Sequence, residues 1–214
     1  MRWIYGFIIW LAAASNVAAN IQCDMPDDTV LDSIVRVSGG TTEATGVVID
    51  KNLVLTAAHV IADMETAPHV GYHGIHKQAQ IIAVFTDYDL ALLTTDTGSL
   101  TPIPFSKQDL HPLEAVWTIG YPRAGNLTSA TGVYKSDLEE GEIHVTAFVD
   151  SGQSGGGVLS CEYGQFVLSG MIKGFGAIDY GDYYVRVDDY SVAVPASDIK
   201  SFVYQNVELA RLEP

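Results

Sequence analysis

From residue 33 onward the chain runs in short stretches of apolar and β-branched residues broken by turn residues, and each stretch reads as a β-strand. Such stretches cover residues 33–38, 45–50, 53–56, 79–86, 90–95, 115–119, 128–135, 142–148, 165–173, 183–187 and 191–194. Gly39-Gly40 turns the chain after the first, and Lys51-Asn52 is the loop of a predicted hairpin between the second and third. Pro102, Pro104 and Pro112 mark residues 101–112 as a connector between two halves, which no sequence repeat links. Many short strands at this spacing predict a barrel or sandwich. Helical periodicity is convincing only at the end, over residues 197–212, where Ile199, Phe202, Val203, Val207 and Ala210 share one face. Ser197 is the expected N-cap, with Asp198 in the first turn near the positive end of the helix dipole.

The start of the chain is different. Arg2 precedes an uncharged apolar stretch at residues 3–14, and Val17-Ala18-Ala19 supplies small residues where a leader is cut. Residues 1–19 therefore read as a signal peptide, with Asn20 first in the mature chain. An uncleaved membrane anchor is the rival reading, against which Ser15, Asn16 and Asn20 dilute a stretch already short for a span. An exported chain, periplasmic or secreted, changes the meaning of its two cysteines. Cys23 and Cys161 allow a single pairing, and an oxidising compartment favours a disulfide over two buried thiols. The apolar content of 48% against 17% charged residues is that of a packed globular protein rather than a disordered one. The net charge of −15 disfavours nucleic acid and anionic membrane surfaces as partners.

Candidate chemistry gathers in three segments. Gly152-Gln153-Ser154-Gly155-Gly156 reads as a nucleophile loop, in which glycines allow tight backbone conformations and close approach of a substrate. The N–H groups of Gly152 and Ser154 are candidates for an oxyanion hole. Upstream, Thr56-Ala57-Ala58-His59 ends a strand, and Asp89 precedes the apolar Leu90-Ala91-Leu92-Leu93. His, Asp, Ser is one of the known orders of a catalytic triad, with Ser154 as nucleophile, His59 as general base and acid, and Asp89 fixing the histidine tautomer. Asp87, which shares a strand face with Asp89 if the segment is extended, is the rival acid.

These three segments, in this order, resemble the signatures of the trypsin/chymotrypsin-like serine peptidases. The resemblance runs over residues 34–203. Ser33-Ile34-Val35-Arg36-Val37, Gly46-Val47-Val48-Ile49-Asp50 and Ala193-Val194-Pro195-Ala196-Ser197 are most similar to HtrA/Deg-like bacterial proteases, here without a PDZ domain. The resemblance implies an all-β fold of two six-stranded antiparallel β-barrels with a C-terminal α-helix and the site in the cleft between them. The first barrel is expected at about 31–100, the second at about 112–195, and the helix at about 197–212, together forming one peptidase domain over residues 20–214. It also implies an endopeptidase acting on protein or peptide substrates through an acyl-enzyme, with no cofactor and no metal. A catalytically inactive fold serving as a peptide-binding module is the alternative, and a non-peptide esterase a lesser third.

One departure concerns activation. Digestive-type members carry an acid just before the nucleophile, which pairs with a new N-terminus after cleavage; here that residue is the neutral Gln153, and no Ile-Val-Gly-Gly-like segment stands near the start. By the family pattern Phe148 and Val149 lie at the base of the primary specificity pocket, with Ile172, Lys173, Gly174 and Phe175 on its wall. Phe148 favours an apolar or small substrate side chain, unless Lys173 faces the pocket and invites an acid. Other features have plainer readings. His69, His73 and His76 have helical spacing, but Pro68, Gly71 and Gly74 make them loop residues rather than metal ligands. His144 is structural, the acidic 137–140 run is a solvated turn, and Asn126-Leu127-Thr128 is a glycosylation sequon that matters only in a eukaryotic secretory pathway.

Overall fold

The computed structural model describes residues 23–212, with side chains to Glu208. The expected leader at residues 1–19 lies outside the described residues. The fold class is the one expected, antiparallel strands in two sheets followed by a C-terminal helix; the second half closes as a six-stranded barrel, whereas the first is a curled sheet of seven strands and not the six-stranded barrel expected.

The first half opens with a short helix α1 (Asp28–Asp32) capped by the Asp27 carboxylate, which accepts from Val30 N at 3.0 Å. Seven strands follow: β1 (Ile34–Gly39), β2 (Thr42–Asp50), β3 (Leu53–Ala57), β4 (His69–Tyr72), β5 (Ile75–Gln78), β6 (Gln80–Phe85) and β7 (Leu90–Thr94). They form one curled sheet in the order β5-β4-β1-β2-β3-β7-β6. A one-turn helix α2 (Ala58–Ala62) leaves the end of β3. The segment read as a histidine loop is in fact the β4–β5 hairpin. Tyr72 pairs with Ile75, and His73 (φ 47°) and Gly74 (φ 75°) form the two-residue turn, both in the left-handed region that such a turn requires.

The second half is a closed barrel in the order β10-β13-β12-β11-β8-β9. Its strands are β8 (Ala115–Gly120), β9 (Thr128–Asp137), β10 (Ile143–Val145), β11 (Gly157–Glu162), β12 (Gln165–Asp179) and β13 (Tyr184–Pro195). Strand β11, to which the sequence assigns no bounds, is a mostly apolar run directly after the glycine loop. It turns into β12 through Tyr163 (φ 52°) and Gly164 (φ 80°), another left-handed pair. Strand β8 shows how the period of two builds two cores. Val116 enters the small cluster inside the barrel with Val145, Val149, Val158 and Ile172. Trp117 and Ile119, on the other face, enter a larger cluster that continues through Val35, Val47 and Leu55 of the first sheet. One continuous core therefore joins the halves and fixes their relative position.

The terminal helix α3 (Ala196–Leu212) begins one residue before the expected N-cap, so Ser197 lies inside the first turn and its carbonyl accepts from Ser201 Oγ at 3.0 Å. Ile199, Phe202 and Val203 are buried in the shared core, and the Phe202 ring stacks on Phe85 of β6 with centroids 6.3 Å apart. The helix thus clamps the second half to the first. No helix of the described residues is long and apolar enough to cross a membrane. A disulfide joins Cys23 to Cys161 of β11, tying the start of the described chain to the barrel.

Candidate active site

Strand β3 stops at Ala57 and the chain turns into α2, which places His59 at the edge of the first sheet. Strand β7 lies beside β3, and Asp89 immediately precedes it with φ 56°, a left-handed conformation that turns its side chain back toward α2. The contact is two-fold. Asp89 Oδ1 accepts the backbone N–H of His59 at 2.8 Å, and Oδ2 lies 2.7 Å from His59 Nδ1. A third bond, from Ala58 N to the Asp89 carbonyl at 3.1 Å, locks the two segments together. Asp89 is buried at 6% exposure, whereas Asp87 is exposed in the preceding turn. A carboxylate on Nδ1 keeps the neutral ring's proton there and leaves Nε2 with a lone pair. The hydrogen bond that His59 donates to Asp89 raises the His59 pKa above its ordinary value; burial opposes the shift, the charges of Asp89 and Asp63 add to it, and Lys173 subtracts.

Ser154 stands on the loop between β10 and β11, and its conformation is set from both halves. Thr45 of β2 is wholly buried and donates its N–H to the Ser154 carbonyl at 3.1 Å. Its hydroxyl donates to the Gly152 carbonyl at 2.8 Å and accepts from Tyr121 N at 3.0 Å, while its own carbonyl accepts from Thr56 Oγ1 at 2.7 Å. Gly155 must be glycine: φ is 82°, and a Cβ there would stand 2.2 Å from the Thr45 carbonyl oxygen. Thr45 was invisible as a site residue in the sequence, where it is one position of a strand.

The candidate oxyanion donors are oriented by the carbonyls of their own peptide units. Ser151 O accepts from Arg123 N at 2.7 Å, and Gln153 O accepts from Gly156 N at 2.9 Å. In a trans peptide the N–H points opposite to the C=O, so Gly152 N–H and Ser154 N–H are turned away from those donors. Neither N–H has an acceptor among the described residues. The turn that carries Arg123 is held in place by Arg36, whose guanidinium lies 4.2 Å from the Tyr121 ring centroid and donates to Ala124 O at 3.1 Å. Gln153 is buried at 1% exposure; its Oε1 accepts from Asp150 N at 2.7 Å and its Nε2 donates to Thr128 Oγ1 at 3.4 Å. The side chain that cannot form an ion pair is satisfied by amide hydrogen bonds. In this resting arrangement Ser154 Oγ donates to the Lys173 carbonyl at 3.2 Å.

Residues 44–167 match the trypsin-like peptidase domain. The chain belongs to that family. Among curated proteins, the chain is 26% identical over 179 residues to serine protease HTRA1A of Danio rerio, an alignment covering 77% of this chain and 35% of that protein. The chain thus spans about a third of the length of that relative. Among solved structures it resembles the serine endoprotease from Yersinia pestis with a TM-score of 0.71 at 21% identity, over 86% of this chain and 68% of that one. It also resembles the inactive form of the Rv3671c protease, with a TM-score of 0.68 at 20% identity, over 86% of this chain and 98% of that one. These two likenesses concern the fold.

The expected pocket residues divide. Val149 and Ile172 are buried in the barrel core and present no side chain to a substrate. Phe148 is exposed, and Lys173, Gly174 and Phe175 are half-buried. The Lys173 ammonium is paired with Glu142. A residue that the sequence did not single out, Arg186 of β13, lies against both Phe148 and Phe175. The histidines once in question are accounted for separately. His73 Nε2 lies 2.7 Å from Asp32 Oδ1, His69 Nδ1 lies 3.0 Å from the Ala67 carbonyl, and His144 stacks on Tyr190 with centroids 4.2 Å apart.

Proposed function

We propose that this chain is an exported serine endopeptidase whose catalytic residues are His59, Asp89 and Ser154, with Gly152 N–H and Ser154 N–H as the oxyanion hole. The observation that carries this reading is the double hold of Asp89 on His59, 2.7 Å to the ring and 2.8 Å to the backbone, in a chain that also sets Ser154 on a glycine loop. Ser154 Oγ attacks the scissile carbonyl carbon while His59 Nε2 takes its proton. The tetrahedral oxyanion is bound by the two N–H groups. The proton then passes from Nε2 to the leaving amine, the C–N bond breaks, and an acyl-enzyme remains on Ser154. Water, deprotonated by the same nitrogen, attacks the ester and releases the acid. The resting bond from Ser154 Oγ to Lys173 O must be exchanged for one to His59, as often happens when a catalytic hydrogen bond tightens only with substrate bound.

Export is supported by the apolar stretch at residues 3–14 and by the Cys23–Cys161 disulfide, since such bonds persist in oxidising compartments. We take residues 20–214 as the mature peptidase domain. The test is labelling with a fluorophosphonate probe together with cleavage of an internally quenched peptide. Labelling at Ser154, its loss in Ser154→Ala, and a fall of roughly 10⁴ in kcat for Asp89→Asn are expected. An unlabelled but folded protein that still binds peptides would establish the inactive binding module instead.

A further inference from the structure

The Arg186 guanidinium lies between two aromatic rings, 4.1 Å from the Phe148 centroid and 4.1 Å from the Phe175 centroid. Both rings belong to the neighbourhood of Ser154. Phe148 begins the loop that carries the serine, and Phe175 follows Lys173, whose carbonyl holds the serine hydroxyl. Strand β13 delivers the arginine there because Arg186 pairs with Ala177, just beyond Phe175 on β12.

The charge of this arginine is poorly spent within the chain. One Nη donates to the Val149 carbonyl. The nearest carboxylate oxygen among the described residues, Asp150 Oδ1, is 3.8 Å away, beyond hydrogen-bond reach. Asp150 is already held by Arg123 Nε at 2.8 Å and by Ser151 N at 2.9 Å. Lys173, the other cation nearby, is neutralised by Glu142. Two guanidiniums share one carboxylate, so this arginine cluster keeps a net positive charge in a chain whose overall charge is −15. A guanidinium has five N–H donors in a planar fork, and flanking ring faces strip water from it without competing for those donors.

We infer that Arg186 is the specificity determinant of the primary substrate pocket, and that it selects a carboxylate, the side chain of Glu or Asp on the residue preceding the scissile bond. The aromatic rings on either side take the methylenes of that side chain, and the fork takes its two oxygens. This rests on the proposed role of Ser154 and deepens it. It also reverses the expectation of an apolar pocket drawn from Phe148, because the ring is covered by a cation.

The experiment compares internally quenched peptides that differ only in Glu or Gln before the scissile bond. A hydrogen-bonded charge pair predicts kcat/KM higher for Glu by roughly 10- to 100-fold. Arg186→Gln brings the ratio to near unity, and Arg186→Lys leaves an intermediate ratio because a point charge cannot fork. A ratio of two peptides on one preparation is insensitive to a partly unfolded fraction. A second arm measures binding of the same peptides, with amidated C-termini, to Ser154→Ala protein. Tighter binding of the Glu peptide, lost with Arg186→Gln added, supports the inference even where fluorophosphonate labelling has failed and the serine-peptidase reading with it. Equal handling of Glu and Gln, or a preference for apolar residues, overturns it and leaves Arg186 as a prop of the β12–β13 hairpin. Discrimination only among peptides with a free C-terminal carboxylate would assign the fork to a chain terminus and overturn it likewise.

Discussion

Replacing Thr45 with valine removes one hydroxyl and almost nothing else. The side chain is wholly buried, the shape is kept, and the N–H that holds Ser154 O is untouched. What is lost is the acceptor for Tyr121 N at 3.0 Å and the donor to Gly152 O at 2.8 Å. Each orphaned group costs about 1–3 kcal/mol, so the fold should lose about 2–6 kcal/mol if neither finds water. Catalysis should suffer separately. Gly152 supplies a proposed oxyanion donor, and losing such a donor outright costs about 10²–10³ in kcat. Loosening it should therefore cost roughly 10- to 100-fold. Because the oxyanion exists only in the transition state, the loss should fall on kcat and leave KM nearly unchanged. Thr45→Ser keeps the hydroxyl and should recover most of both. The assay is steady-state peptide hydrolysis alongside denaturant unfolding of the same variants. A Thr45→Val protein with wild-type kcat, or one impaired only in KM, would refute the argument that this residue sets the oxyanion loop.

Other outcomes follow from the same geometry. kcat/KM should rise with pH through a midpoint above the ordinary histidine value, because the Asp89 bond favours the protonated ring, and Asp89→Asn should move the midpoint down. The sign carries over to stability. With the folded pKa raised, the stabilising contribution of His59 is fully present below the unfolded pKa and is lost as pH rises through the folded one, so His59→Ala should lower Tm more at pH ~5 than at pH ~9. Reducing the Cys23–Cys161 bond, which spans 138 residues of chain, should cost about 2–5 kcal/mol in denaturant unfolding, and an unchanged midpoint would deny it a structural role. Mass analysis of fluorophosphonate-labelled protein should find active molecules uncut between residues 23 and 40; activity confined to molecules cut there would establish zymogen control.

The sheets and the triad candidates were legible because their signals are local. The mostly apolar runs of β8 and β2 need only a strand's own residues, and the His, Asp and Ser segments each carry their neighbours with them. The two strands missed nearby, β4 and β5, were also local, and their signal was present in His73-Gly74 between apolar stretches. It was overridden by reading Gly71 as a loop residue. Gly71 is in fact in a strand, with a hypothetical Cβ 3.0 Å from the His76 ring of the partner strand, so glycine there serves close packing and not turning. Tyr163-Gly164 repeats the same lesson before β12. Thr45 and Arg186 were illegible for a different reason. Each acts across the fold: Thr45 bonds a loop more than a hundred positions away, at a sequence separation of 107, and Arg186 meets rings from a loop and from another strand. No window of sequence contains both partners.

Gln153 shows how a neutral residue can do at this position what an ion pair does elsewhere. A buried carboxylate just before the nucleophile would need a cation brought to it, since an unpaired charge in the interior is costly. The amide needs only a donor and an acceptor, and both are built into the loop and strand around it: Asp150 N for its oxygen and Thr128 Oγ1 for its nitrogen. These partners exist as soon as the barrel closes. The segment ahead of a zymogen cut is meanwhile integrated into the fold, and the Cys23–Cys161 disulfide would hold it even after cutting. Ser33 Oγ is bound to Thr29 O at 3.2 Å and to Thr101 O, and the Ile34 carbonyl accepts from Tyr121 Oη at 3.2 Å, on the very turn that orients the Ser151–Gly152 peptide. Cutting between Thr29 and Ile34 would break the Ser33 tether and offer the new ammonium no carboxylate at position 153. The oxyanion loop would gain nothing and its support would weaken, so the uncut chain is the state in which this loop is best ordered.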